Sequence, residues 1–262
     1  MVRGIEKFKE HFKGFEGNYV IIGGTACEIH EERNALPARA TKDIDIILII
    51  EALSYEFVER FWLFVKEANY GERNRGVNED VHPKHEYYRF RNPERSDYPY
   101  QIELFSRKLR LLNFPEDAHI TPIPTLSEDL SSLSAILMSD DYYHFTIAHS
   151  QYEEDVHIAN IESLICLKCK AFLDMTSRKA YGEHADSKEI AKHKKDVFRL
   201  IAMLAPADKF ILPAVLQQDI VRFIEQVKDQ LPNADFLEAA GLGRLSSTQL
   251  LAQLTSSFLS DD

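Results

Sequence analysis

Apolar residues recur along the chain at two spacings, and the spacing sorts the elements. Ile5, Phe8, Phe12 and Phe15 fall at helical intervals, and Gly17 ends the run. Residues 19–24, YVIIGG, read as a short buried strand closing on a glycine turn. Residues 25–34, TACEIHEERN, continue as a helix. The loop ALPARATK leads into residues 43–50, DIDIILII, whose second half is apolar on both faces, as in a strand buried mid-sheet. Residues 54–71 predict a helix with Ser54 as N-cap and Gly71 as its stop. Residues 85–92 and 98–106 alternate as strands on either side of the turn-rich PERSDYP. Residues 109–137, with Pro115, Pro122 and Pro124, read as connecting structure with short helices, and residues 141–150, DYYHFTIAHS, as another strand. From Asn160 onward the patterns over 160–182, 186–204, 216–231 and 246–259 are helical. The expectation is an α/β (α+β) fold: a mixed sheet with flanking helices over residues 1–155, then an all-helical C-terminal region over 156–262.

Composition narrows the class. The chain has 262 residues, 45% apolar and 28% charged, an ordinary globular balance with enough length for a sizeable core. No apolar run approaches the ~20 residues that cross a bilayer. The charged, amphipathic N-terminus lacks the apolar core of a signal peptide. Three cysteines make no disulfide framework. A cytoplasmic protein without membrane partners is expected. The net charge of −11 gives no overall steering toward nucleic acid, although a local basic cleft is compatible with it. Arg73, Arg75, Lys84, Arg89, Arg91, Arg95, Arg107, Lys108 and Arg110 concentrate in one stretch, interleaved with tyrosines. That mixture suits single-stranded nucleic acid, and equally a solvated sheet face.

Charge matters most where it interrupts an apolar strand. Asp43 and Asp45, two residues apart, project from one face of their strand. Two ionised carboxylates so close repel, and a divalent cation offsets that repulsion; Mg²⁺ typically takes one or two carboxylates plus substrate phosphates. A solvated strand end is the plainer reading of the pair alone. Gly23 and Gly24 open a helix, whose first N–H groups can meet phosphate, and Thr25 adds a hydroxyl. Glu103, inside the apolar QIELF, offers a third carboxylate. It also fits an edge-strand residue facing water.

These motifs, IIGGTA, then an arginine and threonine (Arg39, Thr41) ahead of DID, then IELF, resemble the DNA polymerase β-type nucleotidyltransferase superfamily. Within it the nearest likeness is to the AbiEii/AbiGii-like toxins of type IV toxin–antitoxin pairs. Lys168 in ESLICLKCKAF and Lys195–Asp196 in KHKKDVFRL extend the likeness, which covers roughly residues 15–205. The resemblance implies a nucleotidyltransferase fold with Asp43, Asp45 and Glu103 as catalytic residues and ligands of Mg²⁺ (or Mn²⁺). It implies nucleotide binding by Gly23, Gly24, Thr25, Arg39, Thr41, Lys168, Lys195 and Asp196. The implied activity is transfer of a nucleoside monophosphate from a nucleoside triphosphate to an acceptor hydroxyl of RNA or tRNA, in a toxin-like role countered by an antitoxin. If residues 85–92 supply the matching strand, Glu86 replaces Glu103. A small-molecule, aminoglycoside-type acceptor and a non-catalytic nucleotide-binding role are the alternatives.

The remaining chemistry reads as structure. Cys166 and Cys169 have no second pair for a zinc site and lie among apolar neighbours, so they read as core. His82, His85, His184 and His193 lack metal-ligand spacing. Arg33 and Lys42 flank the aspartate motif as phosphate contacts or plain surface charge.

Overall fold

The computed structural model of the protein describes residues 2–70, 88–107, 120–122 and 134–259. Gly71, Glu86, His82, His85 and the basic residues at 73, 75, 84, 108 and 110 lie outside that range. The fold is mixed α/β. In chain order it comprises α1 (Ile5–Phe12), β1 (Tyr19–Ile22), α2 (Gly23–Arg33), β2 (Asp43–Leu48), α3 (Tyr55–Ala68), β3 (Arg89–Arg91), β4 (Gln101–Arg107), β5 (Ile120–Pro122) and β6 (Ser134–Met138). There follow α4 (Asp140–Ala148), β7 (Ser150–Glu153), β8 (Val156–Ala159), α5 (Ile161–Ala180), α6 (Ser187–Ile201), α7 (Ala214–Val227), α8 (Ala234–Ala239) and α9 (Ser247–Leu259). The chain forms two compact units, one of residues 1–25, 40–143 and 150–158, the other of residues 26–39, 144–149 and 159–262.

The first unit is built on the sheet, whose order is β5-β6-β4-β2-β1-β8-β7. β2 lies antiparallel to β1 on one side and parallel to β4 on the other. Its Ile44, Ile46, Ile47 and Leu48 are fully buried, as the two-faced apolar run requires. β4 serves two strands along one edge: its first half pairs antiparallel with β3 and its second half parallel with β6. Aromatic rings from α1 and α3 fill the core against the sheet, with Phe8 4.6 Å from Phe12, 5.2 Å from Tyr19 and 6.0 Å from Phe64. Each such ring contributes about 1.5–3 kcal/mol by leaving water. Ser54 caps α3 by accepting from Phe57 N at 3.1 Å. The helix stops at Asn69, whose φ of 48° is left-handed.

The second unit is helical around α5, which packs against α6 and α7, while α9 packs against both of those. Cys166 and Cys169 are buried there with free thiols, in the core as expected. Burial pushes both thiols well above their ordinary pKa.

Three segments depart from the sequence reading. Residues 141–150 form most of a helix, α4, rather than a strand. Asp140 and Asp141 favour a helix N-terminus, and Tyr142, Phe145 and Thr146 bury one helical face. The β-prone composition is overridden by that packing. Within 109–137 the described residues hold strands β5 and most of β6 instead of short helices. The region from residue 156 is not all helical, because it opens with β8, which forms a hairpin with β7. Its turn residues Glu154 and Asp155 both have positive φ, 44° and 66°. That is the backbone of a type I′ turn without the Asn-Gly that announces one.

Candidate functional site

Strand β1 delivers Ile22 opposite Asp45 on β2. The chain then turns into α2 at Gly23, whose φ of +70° is left-handed. A side chain at that position would overlap Asp45 Oδ2 and stand 3.0 Å from its Cγ. Glycine is therefore required twice over, by backbone angle and by the carboxylate lying against it. This places an aspartate at the N-terminus of α2, where N–H groups point outward and the helix dipole favours negative charge. Thr25 is fully buried, and its hydroxyl donates to the Asp43 carbonyl at 2.6 Å. It ties α2 to β2. Thr41 Oγ1 accepts from Asp43 N at 3.5 Å.

Across β2, β4 and β3 the register builds rows. Asp45 pairs with Glu103, which pairs with Arg89; Asp43 pairs with Gln101, which pairs with Arg91. Ile44, Ile102 and Phe90 form the row between them, on the opposite face, and are all buried. One face of the sheet thus carries six polar side chains, acidic on β2 and basic on β3. Glu103 Oε1 meets Arg89 Nε, accepts from Gln101 Nε2 at 2.9 Å, and lies 3.9 Å from Arg91 Nη2. Arg91 Nε donates to Gln101 Oε1.

The other expected residues belong to the second unit. Arg39 donates to both oxygens of Asp196, through Nε at 3.3 Å and Nη2 at 3.4 Å. Lys168 Nζ donates to Asp196 Oδ2 at 2.8 Å, with both side chains buried. Burial pulls the Lys168 ammonium down, but Cys27 and the adjacent Asp196 carboxylate together outweigh it and the pKa stands above its ordinary value. For Asp196, burial would raise the pKa, and Lys168 and Arg39 together hold it below the usual carboxylate value. Lys195 is exposed, its ammonium 5.3 Å from the Phe236 ring centre. Arg33, Lys42 and His184 are also exposed.

Among the described residues, no three His, Cys, Asp or Glu side chains gather into a group that could hold a metal ion. Glu103 is turned to the arginines. Asp43 and Asp45, on one face of β2, are the carboxylates that could hold a Mg²⁺ ion whose shell is otherwise phosphates and water.

Sequence reasoning passed over Arg89, Arg91 and Gln101 as individual site residues, because β3 is a three-residue strand whose register only the ladder reveals. It also passed over Glu31 and Arg199. Glu31 accepts from Arg199 Nε at 2.6 Å and from Arg39 N at 2.9 Å, and both of its ion-pair side chains are buried. Single charges on a helix give no signal of burial.

Among the described residues, no helix is long and apolar enough to cross a membrane. Comparison with protein-family models, with curated proteins and with solved structures finds no match to this chain.

Proposed function

We propose that the protein is a nucleotidyltransferase that moves a nucleoside monophosphate from a Mg²⁺-bound nucleoside triphosphate to a hydroxyl of RNA, with tRNA as the leading acceptor. The observation that carries this reading is the seating of Asp45 against Gly23 at the start of α2, with Asp43 beside it on the same strand face. Asp43 and Asp45 would hold the ion, and Gly23 and Gly24 would offer backbone N–H groups to the phosphates. The ion's contribution, when bound, is to neutralise charge on the phosphates. The chain's own contribution is to position: β2 is locked between β1 and β4, so both carboxylates are presented from a rigid, buried strand. Thr25 fixes the distance between that strand and the helix start through its bond to the Asp43 carbonyl.

The test is transfer of label from an α-labelled nucleoside triphosphate to total RNA in Mg²⁺. Asp43→Ala and Asp45→Ala should each abolish it, and undiminished labelling in both variants overturns the assignment. A toxin-like role follows if expression of the chain arrests growth and Asp43→Ala relieves the arrest. A separate antitoxin would then be its natural partner.

A further inference from the structure

We infer that Arg89 and Arg91 form a phosphate-binding subsite, held in position by Glu103 and Gln101. The ligand is a phosphate chain, from either a nucleoside triphosphate tail or the backbone of an acceptor nucleic acid. The inference deepens the nucleotidyltransferase reading and takes from it only the identity of those two sources.

The argument starts from the rows of the sheet. Arg89 and Arg91 lie on the same face of β3, opposite Glu103 and Gln101 of β4, which lie opposite Asp45 and Asp43 of β2. Neighbouring strands are about 4.8 Å apart, so the arginine column stands roughly 10 Å from the aspartate column. One face therefore separates an acidic column from a basic one by the length of a small polyanion. A cation belongs at one side and its anionic partner at the other.

Charge counting points the same way. Glu103 is the one carboxylate on β4 that meets both guanidinium groups, and Gln101 is neutral. One negative charge shared by two arginines leaves the β3–β4 pair net positive. Each guanidinium carries five N–H donors in a planar fork suited to phosphate oxygens. Stability does not account for the second arginine. Arg89 and Arg91 side chains are 27% and 37% exposed, and ion pairs so open to water contribute little to stability. Arg89 alone would satisfy Glu103. The pair instead presents partly open, oriented donors. The β4 partners fix their direction: Glu103 on Arg89, and Gln101 on Arg91 while itself bonded to Glu103. Glu103 is in this arrangement a positioning residue for the arginines rather than a third metal ligand.

The test is calorimetric binding in EDTA, where no metal takes part. The probes are inorganic tripolyphosphate and a short hydroxyl-ended RNA oligonucleotide. The wild-type protein should bind one or both; binding of tripolyphosphate identifies the nucleotide tail as the source, and binding of the oligonucleotide alone identifies the acceptor backbone. Arg89→Gln and Arg91→Gln should each weaken binding about tenfold, with Arg89→Lys recovering part of it. Glu103→Gln keeps an acceptor oxygen to orient the guanidinium groups while removing a competing negative charge, so it should tighten phosphate binding and leave Mn²⁺ affinity within twofold of wild type. Circular dichroism establishes that each variant is folded. Absence of binding by the wild type, or wild-type affinity in both arginine variants, overturns the proposal. A tenfold loss of Mn²⁺ affinity in Glu103→Gln returns Glu103 to the metal and overturns its positioning role. These outcomes are independent of turnover: label transfer that depends on Asp43 can stand while the arginine subsite falls, and the reverse.

Discussion

His193 gives the helical unit a built-in sensitivity to mild acid. Its Nδ1 is buried without a hydrogen-bond partner. Burial, with Lys168 and Lys192 nearby, pushes its pKa down to about 4, against the opposing pull of Asp196 and Glu189. In the unfolded chain the same imidazole takes up its proton near 6.5. The folded state therefore binds this proton less readily. The stability tied to neutral His193 is complete above pH 6.5 and is lost as pH falls toward 4. The whole gap corresponds to about 3 kcal/mol, of which about 2 kcal/mol is lost between pH 7 and 4.5. Asp196 does not confuse this window, because its depressed pKa confines its own loss of stabilisation to pH below about 3.8. His11 and His157 are also depressed, chiefly by burial, and act in the same window. For that reason the informative quantity is the difference between two proteins. Urea unfolding followed by far-ultraviolet circular dichroism at pH 7 and 4.5 should show a smaller acid loss in His193→Gln than in wild type, by about 2 kcal/mol. Equal losses in the two proteins would refute the reasoning, whatever the absolute stability of the variant.

Three further perturbations probe the scaffold. Arg199→Ala strands the buried Glu31 carboxylate and should cost about 3–5 kcal/mol in urea unfolding, whereas Arg199→Met with Glu31→Gln should recover much of that loss. Gly23→Ala forces a left-handed alanine and displaces Asp45; a cost of ~1–2 kcal/mol should lower the melting temperature by roughly 2–8 °C, and an unchanged temperature would contradict the crowding at that turn. Replacing Glu154-Asp155 by Asn-Gly supplies residues suited to two positive φ angles and should stabilise the β7–β8 hairpin by about 1 kcal/mol, read as a rise in the urea midpoint.

What could be read from the sequence depended on how local the cause was. The aspartate strand was legible because Ile44, Ile46 and the run behind them impose a register that leaves Asp43 and Asp45 one face to occupy. Gly23 was legible only together with the aspartate strand some twenty residues on, because a glycine pair by itself serves many turns. Residues 141–150 were misread because Tyr, Phe, Thr and Ile suit a strand, and only the burial of Tyr142, Phe145 and Thr146 on one face discloses the helix. The β7–β8 hairpin was hidden by a turn of two acids. The arginine rows and the Glu31–Arg199 pair were beyond reach for another reason. Each joins residues through pairing or packing that no window of sequence contains.

The Glu31–Arg199 pair also bears on how the chain is made. Its two members are separated by 168 residues. At a synthesis rate of about 5–20 residues per second, Glu31 waits roughly 10–30 s for its partner to be made. Through that interval its carboxylate has reason to stay hydrated, so the last turn of α2, which carries it, should dock late. The emerging chain thus carries an acid that resists premature burial, a brake on closing the helical core before α6 has been synthesised.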